Sequence, residues 1–290
     1  MAMTVTEIPG GVRVEGAEPF DLAQTLDCGQ CFRFAPTGDG GWFGAAGGYA
    51  ATLRFEGESL VLEGVTAAAF EGFWRGYLDL DRDYGAIRAA FARDPRLAPC
   101  VAFAPGIRVL RQPAFEALIA FIVSQNNNVP RIKGILARLC ALFGEPLPGG
   151  ARAFPTPDRL AACGEADLAP LRSGWRAGYI LDAAQQVAAG TMDLQAVAAM
   201  PMADARRALT RIRGVGPKVA ECVLLYGMGR LEAFPMDVWM KRAMARLFPE
   251  EKGNLPESAP AIFGPFAGIA QQYIFHYCRC HPEEIREKTA

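Results

Sequence analysis

The sequence predicts an α+β chain that is mostly α: a twisted antiparallel β-sheet domain with flanking helices over residues 1–95, then a helical region over 96–290. Three observations carry this. Short stretches of alternating apolar residues, separated by glycine-rich turns, crowd the N-terminal part. From roughly residue 100 onward, apolar residues recur almost wholly at helical spacing. Late in the chain, a turn at Gly214-Val215-Gly216 separates one helical run from another that restarts at Pro217, where a missing amide proton costs nothing. That is a helix-hairpin-helix, spanning about 205–228. With 290 residues and 51% hydrophobic content, the chain can bury a sizeable core in two or three packed units.

Taken in order, Gly11 to Glu15, Cys31 to Ala35, Tyr49 to Phe55 and Ser59 to Glu63 alternate as strands. Gly29, in LDCGQCFRF, reads as a turn before a strand. Helical patterns follow at Ala67 to Leu78 and Tyr84 to Ala92, with Phe70, Phe73, Trp74 and Tyr77 as core. Ala114 to Ser124 is an apolar helix. It stops in Gln125-Asn126-Asn127-Asn128, where asparagines combine poor helix propensity with good turn chemistry. A helix resumes from about Pro130 to Phe143. Arg152 to Pro157 is a loop, helices restart at Asp158 and Asp167, and LRSGWRAGYI sets Trp175 and Arg176 just after a glycine. The last long helical region runs from Pro260 to Cys278, with Gln271 and Phe275 four apart on one face.

The hairpin concentrates the chemistry. Its glycines Gly214 and Gly216 leave amides bare at a helix N-terminus, where a phosphate oxygen can sit. Five basic residues and no acidic one lie between Arg206 and Lys218, so the turn is locally cationic. Only five of the 30 basic residues are lysines, which makes Lys218 notable. Arginine would bind phosphate as well, but only an amine can act as a nucleophile. Asp237 follows nineteen residues later; its carboxylate can cap the next helix and also stabilise a developing cation. Taken alone, Lys218 is equally a phosphate contact and Asp237 equally an N-cap.

The GVGPKVAEC run, with PMDV after it at this spacing, resembles the helix-hairpin-helix DNA glycosylases, and within them the 8-oxoguanine DNA glycosylase/AP lyases. The resemblance spans about Leu26 to Tyr277. It implies that Lys218 is the nucleophile and Asp237 its electrostatic partner. It implies a base pocket in which the Gly29 carbonyl faces the damaged base, Gln271 reads its Watson–Crick edge, and Phe275 and Cys222 cover its two sides. It maps Asn126 and Arg131 onto contacts with the orphaned cytosine, Trp175 onto the wedge that fills the gap, and Arg176 onto a further cytosine contact. The expected activity is removal of 8-oxoguanine from double-stranded DNA, preferably opposite cytosine, followed by strand nicking through β-elimination. The alternative is a monofunctional glycosylase of the same superfamily for alkylated bases, which would not need Lys218; a non-catalytic DNA-binding module is the other class. Two positions depart from the family pattern: Trp175 stands where tyrosine or phenylalanine is usual, and Trp239 where many eukaryotic members have histidine.

A net charge of -1 argues mildly against a general nucleic-acid coat, although binding depends on the face presented. With no secretory leader and no apolar run of membrane length, a soluble, intracellular monomer is expected, cytoplasmic and nucleoid-associated if bacterial and otherwise nuclear. Eight cysteines without a signal peptide read as free thiols. Cys28 and Cys31 form a CxxC with redox or zinc potential, but no second CxxC completes a zinc site. Iron–sulfur relatives need four C-terminal cysteines and this chain has two, Cys278 and Cys280, so no cluster and no required cofactor are expected. The resemblance also implies a cation at the hairpin carbonyls of Thr210, Ile212 and Val215, bridging to a DNA phosphate.

Overall fold

The computed structural model describes residues 3–17, 19–251 and 253–285. The predicted class holds: a six-stranded antiparallel sheet precedes a helical region. The strands are β1 (Thr4–Ile8), β2 (Gly11–Glu15), β3 (Phe34–Pro36), β4 (Trp42–Ala46), β5 (Tyr49–Glu56) and β6 (Ser59–Glu63), in the spatial order β1-β2-β6-β5-β4-β3. One face buries Val12, Val14, Leu53, Leu60 and Leu62 against Phe70 and Trp74. Those two aromatics lie on the predicted 67–78 helix, which contains a π-helical turn at Phe70–Trp74.

The sequence pattern misses β1 and β4 and starts β3 too early, each for a physical reason. β1 is an edge strand of mostly exposed residues, so burial leaves little period-two signal. β4 reads WFGAA and is buried on both faces apart from Phe43, which erases the alternation. The stretch from Cys31 to Ala35 pairs only from Phe34 onward. Before that it turns into the helical region, where Phe32 meets Phe121 edge-on at 5.9 Å and Arg33 pairs with the buried Glu116 at 3.3 Å.

A connecting segment around residues 104–113 joins the two cores, with Leu110 in the sheet cluster and Ile107 and Val109 in the helical one. Arg108, buried, donates to the carbonyls of Asp79 and Ala17. The Gln30 side chain donates to the Thr25 and Arg108 carbonyls and accepts from the Leu110 amide. This network holds the loop carrying Gly29 against the helical region.

The helices that matter for the site are α1 (Ala114–Ser124), α2 (Val129–Phe143), α3 (Arg176–Ala188), α4 (Met202–Leu209), α5 (Pro217–Cys222), α6 (Val238–Leu247), α7 (Leu255–Phe263) and α8 (Ala267–Cys280). Asn128 caps α2 by accepting from the Arg131 amide. α5 runs into a π-helical turn, Val223–Gly227, whose wider winding brings Tyr226 over Phe121, stacked at 5.3 Å and 17°. The predicted run from Pro260 to Cys278 is not one helix. Gly264 adopts φ 73°, a 3-10 turn follows over Gly264–Phe266, and α8 starts afresh at Ala267. No described helix is long and apolar enough to cross a membrane.

Candidate active site

Lys218 is the second residue of α5, directly after Gly216 and Pro217. Its amine donates to Ser124 Oγ at 3.1 Å and lies 5.2 Å from the centre of the Phe121 ring. The Ser124 hydroxyl in turn donates to the Phe121 carbonyl at 2.8 Å, so its oxygen is oriented toward the lysine. Asp237 caps α6: Oδ1 accepts from the Met240 amide at 2.8 Å. The second carboxylate oxygen is not used by the cap.

Lys218, Asp237, Gly29, Cys222, Gln271 and Phe275 all line one cavity of about 40 Å³, together with Phe121, Tyr226 and Pro235. The six residues predicted as catalytic or base-pocket are therefore brought together from four separate parts of the chain. The cavity is about the size of one water, so its walls must part to admit a purine. Gly29 is held at φ 89°, and a Cβ there would lie 3.4 Å from both Phe275 Cε1 and Arg279 Nη1. A side chain would thus strain the loop and push into the cavity wall.

Sequence reading missed Ser124, Phe121, Tyr226 and Pro235. Nothing local links Ser124, the last residue of an apolar helix, to a lysine 94 positions later. Burial pushes the Cys222 thiol up to about 11, making it a neutral, soft wall rather than a competing nucleophile. Cys28 is pushed up to about 12 and Cys31 well above its ordinary range, again by burial. Both thiols of the CxxC are buried and unreactive, and among the described residues no group of His, Cys, Asp or Glu is arranged to hold a metal.

Two family models match the chain: the 8-oxoguanine DNA glycosylase N-terminal domain over residues 13–118, and the HhH-GPD superfamily of base excision DNA repair proteins over residues 119–264. The N-glycosylase/DNA lyase OGG1 of Arabidopsis thaliana is 30% identical over 277 residues, covering 88% of this chain and 76% of the plant protein. The chain belongs to the 8-oxoguanine DNA glycosylase/lyase family. A probable N-glycosylase/DNA lyase of Methanothermobacter thermautotrophicus is 31% identical over 215 residues, covering 65% of this chain and 69% of its own length. Among solved structures, MBOgg1 in complex with a low-affinity DNA ligand superposes with a TM-score of 0.93 at 38% identity, covering 97% of this chain and 100% of that one. The Clostridium acetobutylicum 8-oxoguanine glycosylase/lyase, bound to double-stranded DNA with cytosine opposite 8-oxoG, gives 0.92 at 35% identity, covering 96% and 98%.

In this member of the 8-oxoguanine DNA glycosylase family the cavity shares Lys218 and Asp237 with a broader groove of about 540 Å³, lined by Ser124 to Asn127, Gly216 to Val219 and Met236 to Trp239. On one side, Asn126 is exposed at φ 46°, a left-handed conformation asparagine tolerates well. Arg131 is exposed, and its Nη2 lies 3.5 Å from the carbonyl of Arg172, itself at φ 54°. Trp175 is 52% exposed and stands edge-on to Tyr179 at 5.2 Å. Arg176 differs from its neighbours: it is buried, donates to the carbonyls of Gln125, Asn126 and Ser173, and lies 4.2 Å from the Trp175 ring. Here the guanidinium braces the asparagine turn.

The hairpin is less cationic than its sequence suggests. Arg206 is paired with the buried Glu221, and Arg207 with Asp204, which leaves Arg211, Arg213 and Lys218 at the turn. Gly214 adopts φ 83°, and a Cβ there would come within 2.1 Å of the Tyr179 ring. Gly214→Ala is therefore expected to displace either the turn or Tyr179 and to weaken duplex binding roughly tenfold or more, by losing aligned amides at a helix N-terminus. A fluorescence anisotropy titration with duplex DNA at fixed salt checks this; unchanged affinity would show the turn is not a phosphate grip.

Proposed function

We propose that Lys218 is the nucleophile of a bifunctional 8-oxoguanine glycosylase, with Asp237 as its electrostatic partner. The observation that supports this is a primary amine and a carboxylate lining the same small cavity as Gly29, Cys222, Gln271 and Phe275. The duplex is gripped by the hairpin amides of Gly214 and Gly216 and kinked, and the lesion is turned out of the stack, because C1′ is unreachable inside it. Lys218 attacks C1′ and displaces the base, while the free Asp237 oxygen stabilises oxocarbenium character. The aminal left at C1′ opens by breaking C1′–O4′ to give a Schiff base, and β-elimination then removes a C2′ proton and expels the 3′ phosphate.

Recognition follows from donors and acceptors. The oxidised base carries N7–H, which the Gly29 carbonyl accepts, whereas guanine would present a lone pair to a lone pair. Such a mismatch costs about 1–3 kcal/mol, so contacts to the opposite base must contribute as well. Asn126 and Arg131 supply them, Trp175 fills the vacated stack, and Arg176 acts by holding the Asn126 turn or by swinging out to cytosine. Arg131→Ala is expected to reduce the preference for cytosine over adenine opposite the lesion by about tenfold, leaving binding to undamaged duplex little changed. Excision rates on the two mispairs measure it.

The neutral carbonyl oxygens of Thr210, Ile212 and Val215 suit a hard cation; Ile212 already accepts from the Val215 amide at 3.0 Å and retains a second lone pair. Such an ion would tie the turn to a phosphate. The site of action is wherever the genome lies, nucleoid or nucleus. The deciding experiment is sodium borohydride trapping on an 8-oxoguanine:cytosine duplex. Base release with a covalent adduct supports the proposal; release without one moves the chain to the water-using glycosylases.

A further inference from the structure

Gln271 and its neighbour Gln272 both direct their carbonyl oxygens at one phenol. The Tyr226 hydroxyl lies 2.5 Å from Gln272 Oε1 and 3.3 Å from Gln271 Oε1. Each amide is oriented from its other end: Gln272 Nε2 donates to the Cys28 carbonyl at 3.3 Å, and Gln271 Nε2 to the Pro235 carbonyl at 3.3 Å. All three side chains are buried, and burial holds the Tyr226 phenol well above its ordinary range, so it stays protonated as a donor. The backbone is tethered too. Gln112 donates its side-chain amide to the Gln30 carbonyl and its backbone amide to the Tyr226 carbonyl, both at 2.7 Å.

One hydroxyl proton cannot serve two acceptors fully. The shorter contact places it on Gln272, which leaves the acceptor capacity of Gln271 Oε1, on a side chain that lines the cavity, largely unspent. We infer that Tyr226 and Gln272 form a positioning relay that presents the Gln271 carbonyl to N–H donors on a purine's Watson–Crick edge and couples it to the Cys28-Gly29 loop. The inference rests on the base-excision reading above. It gives one hydrogen-bonded unit charge of both recognition elements, the amide at the Watson–Crick edge and the loop carbonyl at N7. A guanine-type edge, with N1–H and an exocyclic amine, suits an exposed acceptor; an adenine-type edge presents an acceptor at N1 and is repelled.

The relay concerns the base alone, so it predicts a split between two activities of one protein. Tyr226→Phe keeps the ring that stacks on Phe121 and removes only the hydroxyl. Single-turnover excision of 8-oxoguanine opposite cytosine is expected to fall about tenfold, the scale of one misaligned buried hydrogen bond. Cleavage of a duplex carrying a preformed abasic site opposite cytosine, where there is no base to read, should stay within about twofold of the parent. Gln272→Leu should reproduce the split. The double variant should be no slower than the slower single one, because both changes cut the same relay. Melting profiles accompany the assays, and if one variant loses its cooperative transition the other carries the comparison.

Parent-like excision by the folded variants overturns the relay. So does a parallel fall in excision and abasic-site cleavage, which marks a merely structural role. A parent protein that releases no 8-oxoguanine brings down the base-excision reading itself, and the relay with it.

Discussion

Lys218→Gln is expected to abolish the borohydride-trapped adduct and to slow release of 8-oxoguanine by at least roughly a thousandfold. The amine is the lining group able to form a Schiff base, and the neutral thiol of Cys222 does not substitute for it. Glutamine is one atom shorter than lysine but keeps an uncharged N–H donor facing Ser124 Oγ, so the cavity should survive the change. Affinity for the lesion duplex should therefore remain within a fewfold of the parent, since most of it comes from phosphate contacts elsewhere. The two readouts separate causes: trapping lost with binding kept identifies chemistry, whereas trapping lost with binding lost identifies damage to the fold. An adduct that persists in the variant would assign the nucleophile to another amine.

Glu221→Ala is expected to produce the largest loss of stability among single changes near the site. The carboxylate is buried, pairs with Arg206 Nε and accepts from the Phe234 amide at 2.7 Å. Arg206 reaches on to the Pro256 carbonyl at 2.8 Å. One acidic side chain thus joins α4, α5, the loop leading to Asp237 and the start of α7. Removing one member of a buried pair strands the other charge and leaves a buried amide without its acceptor, a cost of about 3–5 kcal/mol. Because Arg206 retains some access to water, the lower end is expected, a fall in melting temperature of roughly 6–12 °C. Calorimetry measures it, and a shift below about 2 °C would show that the pair adds nothing net. Activity should fall as well, since the Phe234 amide lies three residues before Asp237.

Much of the site was legible along the chain. Gly214, Gly216, Lys218 and Asp237 are close in sequence, and turn chemistry, helix capping and the choice of lysine each leave a local mark. The same holds for the strands at Gly11 to Glu15 and Tyr49 to Phe55, where half-buried Arg13, Thr52 and Arg54 interrupt the buried residues; Ser59 to Glu63 is marked instead by the buried run Leu60-Val61-Leu62 between half-buried ends. The pattern fails for β4, buried on both faces apart from Phe43, and for Phe32, which turns away from the sheet core that holds Cys31 to pack on Phe121 of α1.

By itself, the sequence determined the class of fold, the hairpin and the candidate amine beside it, because those depend on short-range periodicity and on the intrinsic chemistry of single residues. Tertiary structure decided what surrounds that amine. Ser124, Phe121 and Tyr226 reach the cavity, and Glu221 takes Arg206 away from the hairpin's positive face, through contacts between segments that no local pattern connects. A charge counted along the chain is available to DNA only if no buried partner claims it, and burial is a property of the packed molecule alone.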